Sequence, residues 1–156
     1  MPDMLIKLYD LPSIEEALAG LGSEGISIRR AMAYEQSKIH TWIKNAFNLQ
    51  WADECNAAFG RQPIGCFLAL KEAAICGFCC IDCTFRNFLG PIGISPEFRS
   101  KRVGQALLLV SLGAMQALGY AYAIVGNAGE PGFFQKVAGA LEIPASTPGP
   151  YPPRLK

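Results

Sequence analysis

From Val103 to Gly129 the chain runs for 27 residues without a charged side chain. A stretch of that length either crosses a bilayer or lies in a protein core that covers it on more than one side. Its punctuation favours the core. Gln105, Ser111 and Gln116 interrupt it, and Gly119 divides it. The part before Gly119 reads as a helix that starts near Lys101 and ends at that glycine. The part after it, Tyr120-Ala-Tyr-Ala-Ile-Val125, reads as a short strand buried on both faces. A membrane span is the rival reading. The remaining sequence agrees with a large core: 51% of the 156 residues are hydrophobic and 17% are charged, a length that suits one domain.

The other elements follow from local pattern. Met4–Leu11 reads as a short strand. Ser13 followed by Glu16 is a capping-box start for a helix that Gly20, Gly22 and Gly25 end. Ile26–Ala31 alternates like a strand. Ile39, Trp42, Ile43 and Phe47 lie at helical spacing within an amphipathic helix over 34–47, and a second helix covers 51–59. Pro63–Leu70 and Ala74–Thr84 form a hairpin across Lys71-Glu-Ala, and Phe88–Ser95 is a third strand. Pro131–Ala138 is a short helix. Five of the eleven prolines fall after Ile143, so the tail is extended or looped. The predicted fold class is α/β (α+β): a mixed, mostly antiparallel sheet with helices on both faces. Residues 1–25 make a strand and helix extension, 26–143 the core, and 144–156 a proline-rich tail.

The net charge of +1 gives no field for nucleic acid. The start Met1-Pro-Asp-Met-Leu lacks the basic segment and apolar run of a secretory signal. A cytoplasmic setting, with the six cysteines as reduced thiols, is therefore expected. Cys76, Cys79, Cys80 and Cys83 make two C-x-x-C spacings on one predicted strand. Alternation would turn Cys76 and Cys80 one way and Cys79 and Cys83 the other, so they read as small buried hydrophobes rather than a metal site.

The most informative segment is Ile92-Gly-Ile-Ser-Pro-Glu-Phe-Arg-Ser-Lys-Arg-Val-Gly-Gln-Ala-Leu-Leu108, which runs from a strand through a basic turn into a helix. The first amides of a helix lack internal partners and sit at the positive end of its dipole, which suits an anion. Arg99, Lys101 and Arg102 add positive charge, and Gly104 lets backbone approach a ligand. These features predict a phosphate-bearing ligand without saying which. A capped helix behind a solvated basic turn is the alternative.

This segment resembles the acetyl-CoA signature of the GNAT superfamily, Gln/Arg-x-x-Gly-x-Gly/Ala. Arg99 takes its first position and Gly104 its last, and Arg102 replaces its first glycine. Downstream, Asn127, Phe134 and Lys136 match Asn-x-x-Ala-x-x-Leu-Tyr-x-Lys, with Phe134 where tyrosine is usual. The order of elements from Ile26 to about Ile143 is similar as well. The stretches Leu5–Pro12, Gly90–Gly93 and Ser146–Gly149 look like a bacterial subgroup of such enzymes.

The resemblance implies an N-acetyltransferase that moves an acetyl group from acetyl-CoA to a primary amine by direct attack. It implies no metal, no nucleic acid and no membrane, and a homodimer is compatible with it. Ile92, Gly93 and Ile94 would offer backbone to the pantetheine arm. Arg99, Lys101, Arg102, Val103, Gly104 and Gln105 would hold the pyrophosphate, with Asn127 and Phe134 near the arm. Asp82, in an apolar strand, is a candidate general base; a strand-end carboxylate held by Arg86 or water is the other reading. Glu54 lies on the helix that lines the acceptor side in the family. His40 reads as a surface residue. A non-catalytic acyl-CoA-binding module of the same fold is the rival, kept open by Arg102 and Phe134.

Overall fold

The computed structural model describes residues 1–156, apart from the side chains of Ser100 and Lys101. Its elements are β1 (Met4–Lys7), α1 (Ile14–Gly22), β2 (Ile26–Arg30), α2 (Gln36–Ala46), α3 (Leu49–Asn56), β3 (Cys66–Lys71), β4 (Ala74–Ile81), β5 (Phe88–Ile94), α4 (Val103–Ala117), β6 (Tyr122–Val125), α5 (Pro131–Ala138) and β7 (Leu141–Glu142). Single 3₁₀ turns precede α2, follow α3 and precede α4.

Local chemistry sets several boundaries. Ser13 Oγ accepts from the Glu16 amide at 3.2 Å and starts α1. Asn48 caps α3 through the Trp51 amide at 2.8 Å. Pro131 occupies the first turn of α5, and Gly139 ends that helix at φ 66°. The uncharged stretch resolves into a helix, a glycine turn at Gly119 (φ 101°) and a strand, but the strand is confined to Tyr122–Val125 and is fully buried only at Ala123 and Val125, with Tyr122 exposed, rather than covered on both faces. Among the described residues no helix is long and apolar enough to cross a membrane.

The seven strands form one sheet in the order β2-β3-β4-β5-β6-β1-β7. All neighbours are antiparallel except β5 and β6. The N-terminal strand is therefore no appendage: Met4–Lys7 pairs with Val125–Tyr122 on one side and with β7 on the other. Asp3 strengthens this join. Its buried carboxylate accepts from the Asn127 amide at 2.8 Å, and its own amide donates to Ser146 Oγ at 2.8 Å.

Each face of the sheet has its own core. One packs α1, α4 and α5 around Leu107, Leu108, Leu112 and Met115. The other packs α2 and α3 around Ile39, Ile43, Leu68 and Phe78. The cysteines depart from simple alternation. Ala69 faces Gly77 while Leu70 faces Ile75, so Cys76 is an extra residue in β4. That bulge puts Cys76 on the α4 face with Cys79, while Cys80 lies on the α2/α3 face. Asp82, at φ 57°, then turns the chain, and Cys83 packs with Cys80 rather than with Cys79.

Candidate acyl-CoA and acceptor site

Strands β5 and β6 pair only at Phe88 with Ile124 and Leu89 with Val125. Beyond that point they separate. Cys79 faces Ile92 and Ile81 faces Leu89, so one residue of β4 spans both Gly90 and Pro91 of β5. This bulge bends β5 away at Gly90, whose φ of 132° is a conformation open to glycine. Gly90–Ile94 consequently has no strand partner on its β6 side, and its backbone groups line a gap at the middle of the sheet.

The gap leads to the basic turn. After β5, a 3₁₀ turn over Pro96–Lys101 carries the chain to Arg102, which adopts the left-handed conformation (φ 60°, ψ 17°) and begins α4 without a side-chain cap. The first intrahelical bond runs from the Ala106 amide to the Arg102 carbonyl. The amides of Val103, Gly104 and Gln105 therefore have no helical acceptor. Arg99 Nε donates to the Ile94 carbonyl at 3.2 Å, which places its guanidinium at the end of β5. Arg102 is exposed; the Lys101 side chain lies outside the described residues. A Cβ on Gly104 would stand 3.5 Å from both Ile94 and Phe133, an ordinary contact. The ring beside α4 is thus that of Phe133. Phe134 is buried in the α4-side core and stacks edge-on against Phe133 at 5.1 Å. Asn127, at φ 51°, is exposed where β6 ends.

On the α2/α3 face of the sheet, α3 packs against β5, and the tail comes back to Gly126 at the end of β6. Glu54 is half-buried, and burial pushes its carboxyl up from the usual range, partly offset by the Thr84 hydroxyl, which donates to it at 3.4 Å. The tail returns Tyr151 to this region. Its hydroxyl lies against Gly126, and its ring packs 6.0 Å from that of Phe85. Burial, and secondarily the Asp3 and Glu54 carboxylates, push the Tyr151 hydroxyl up, so it stays protonated. Nothing in local sequence pattern links Tyr151 to Glu54; the only signal is an aromatic in a proline-rich tail. The tip of the Phe47 ring reaches β5 so closely that a Cβ on Gly93 would come within 2.6 Å of it.

The other candidates have structural partners. Asp82 accepts from the Asn87 amide at 2.7 Å and from the Tyr120 hydroxyl at 2.9 Å, with Arg61 at 3.7 Å. Arg61, rather than Arg86, is the cation beside it. His40 meets Asp53 at 3.2 Å on the surface. The Tyr122 hydroxyl shares a hydrogen bond with that of Tyr9 at 3.3 Å, at the far end of β6. Among the cysteines, burial pushes the Cys79 thiol up to about 12.

A parallel strand pair that opens at a bulge and delivers the chain to an uncapped helix start defines the fold class of acyl-CoA N-acyltransferases. The chain matches the model of the Acetyltransferase (GNAT) family over residues 32–140, and it belongs to that family. Solved structures of the same fold include the GCN5-related glucosamine N-acetyltransferase region of a fungal multi-domain GH3 β-N-acetylglucosaminidase. That likeness has TM-score 0.75 and 11% identity, over 91% of this chain and 19% of that one. A GCN5-related N-acetyltransferase from Sphaerobacter thermophilus has TM-score 0.70 and 19% identity, over 91% and 48%. A GNAT family acetyltransferase from Brucella melitensis, in complex with acetyl-CoA, has TM-score 0.58 and 17% identity, over 71% and 80%. The chain thus spans about a fifth and about half of the first two proteins. A comparison with curated proteins gives no match.

Proposed function

We propose that the protein is an acetyl-CoA-dependent N-acetyltransferase acting on a primary amine. The observation that carries this reading is the edge of Gly90–Ile94 left without a strand partner on the β6 side, continuous with the N-terminal amides of α4 at Val103, Gly104 and Gln105, which lack a side-chain cap. An elongated ligand with hydrogen-bonding groups along its arm and a pyrophosphate at one end suits both features. Arg99 and Arg102 flank the phosphate end. Acetyl-CoA supplies the thioester acetyl group. Backbone amides on the free edge of β5 are placed to donate to a thioester oxygen.

On the other face, Glu54 is the group placed to take the proton of an incoming ammonium, directly or through water. Its carboxylate is half-buried and carries one weak hydrogen bond, whereas Asp82 accepts two short hydrogen bonds and has the Arg61 guanidinium at 3.7 Å. Phe134 has no proton to give. Tyr151, protonated and with its hydroxyl against Gly126 just past β6, is the candidate donor on this face for the departing sulfur.

The test is incubation with acetyl-CoA and a broad panel of amines, with products read by mass spectrometry. Thiol reagents are unsuitable because six cysteines add background. Transfer to at least one amine is expected. Acetyl-CoA binding without transfer to any amine, joined to gained activity in Phe134→Tyr, would establish the acyl-CoA-binding module instead.

A further inference from the structure

Four of the six cysteines converge on the α2/α3 face of the sheet, although they come from three elements. Cys55 lies on α3, Cys66 on β3, Cys80 near the end of β4, and Cys83 just past the Asp82 turn. Cys66 and Cys80 are direct cross-strand partners. The Sγ atoms of Cys55, Cys66 and Cys80 all lie within 4.8 Å of one another, with Cys55 and Cys66 at 3.6 Å. Those three thiols are buried; Cys83 is half-buried, and its thiol neighbours that of Cys80 but donates to the Ile81 carbonyl at 3.6 Å and stands outside the 4.8 Å cluster, so it must swing inward to become the fourth ligand.

We propose that Cys55, Cys66, Cys80 and Cys83 form a structural zinc site. A tetrahedral zinc with metal–sulfur bonds of about 2.3 Å has sulfur–sulfur edges of about 3.8 Å, so the three buried sulfurs need only small adjustments to share one ion. Cys80-Ile-Asp-Cys83 has the two-residue spacing common in zinc knuckles. The left-handed Asp82 provides the turn that brings the second cysteine back towards the first. Cys83 also gives the ion a route from solvent. Cys76 and Cys79 are excluded, because the β4 bulge puts them on the other face. Binding exchanges four S–H bonds for four Zn–S bonds and releases four protons, so it strengthens as pH rises. The ion would tie α3 to β3 and β4 directly behind Glu54, independently of whether the protein transfers acetyl groups.

The experiment uses the full-length, reduced, metal-stripped protein, titrated anaerobically with Co(II) and then Zn(II). The expected result is one equivalent of Co(II), with near-ultraviolet thiolate-to-cobalt bands and the visible bands of a tetrahedral site, displaced by Zn(II). Zinc should protect Cys83 from alkylation. Cys66→Ala and Cys80→Ala should each weaken Co(II) binding by at least about 100-fold, more than loss of an outer-shell partner costs, while Cys76→Ala leaves it unaltered. Should the ligand variants fail to fold, the wild-type spectrum and the protection of Cys83 decide alone. Absence of the thiolate bands, unchanged alkylation of Cys83, or bands that survive loss of Cys66 or Cys80 in a folded variant would overturn the site.

Discussion

Two side chains, Arg102 and Glu54, carry most of the functional argument at this scale, and the first departs from the family pattern. Arg102 stands where the signature has glycine and adopts the left-handed conformation a glycine would take freely. That conformation costs a non-glycine residue about 1–2 kcal/mol, offset in part by the greater unfolded-state freedom of glycine. Arg102→Gly should therefore leave stability unchanged or raise it by less than about 1 kcal/mol, as read by urea unfolding. Acetyl-CoA affinity should fall, and its dependence on salt should become shallower. Tighter binding would show that the guanidinium contributes nothing to the phosphate site. For Glu54→Gln, turnover with the best amine should drop about 10²–10⁴-fold. Calorimetry should show acetyl-CoA affinity unaltered, since Glu54 lies on the acceptor face. Undiminished turnover would return the base to Asp82 or to water.

At the scale of elements, the site depends on how β5 is supported from each side. The Phe47 ring rests on Gly93, where no side chain fits. Gly93→Val should cost about 1–3 kcal/mol by overpacking. Gly104→Ala, whose added methyl makes ordinary contacts, should cost nothing and gain up to about 1 kcal/mol of helix propensity. Chemical denaturation of the two variants separates these outcomes, and a loss of acetyl-CoA affinity in the stable Gly104→Ala would locate the ligand at the turn. The entry to α2 is held differently. Arg29 grips Glu35 at 2.6 Å, and that bond, with the Met32 amide, draws the Glu35 carboxyl down to about 2. The folded value lies below the unfolded one. The pair therefore stabilises above about pH 4.5, and its contribution fades as pH falls towards 2. Because Arg29 is largely exposed, Glu35→Gln should cost only about 1 kcal/mol or less at pH 7. Melting curves of variant and wild type should converge near pH 2.

For the molecule as a whole, ligand binding and folding are linked through the open sheet. An acyl-CoA bound across β5 and α4 stabilises the native state by mass action, by about 2.7 kcal/mol at 100 times its dissociation constant. A rise in melting temperature with millimolar acetyl-CoA or CoA is expected, and no shift would remove the cofactor reading. The N-terminal segment takes part as well, since β1 seals the edge of β6 and Asp3 anchors Asn127.

Much of this architecture is legible in periodicity and punctuation. The uncharged run broken at Gly119 specifies a buried helix followed by a buried strand, because an apolar segment of that composition has no stable place in water. Ser13 and Pro131 mark helix starts through interactions that operate within a few residues, whereas the Asn48 cap begins α3 at Leu49, ahead of the expected 51. The strand–turn–helix around Arg102 is local in the same sense, so its backbone course can be read along the chain. Tertiary structure alone decides what depends on two distant segments meeting. A bulge at Cys76 turns that cysteine to the α4 face, while the pairing of β3 with β4 and the packing of α3 bring Cys55, Cys66 and Cys80 together, which no spacing announces. Sheet order brings β1 beside β6, and the return of the tail sets Tyr151 opposite Glu54. Side-chain direction in a strand is a parity, and one extra residue flips it; contacts across the fold follow from packing, which the local pattern does not encode.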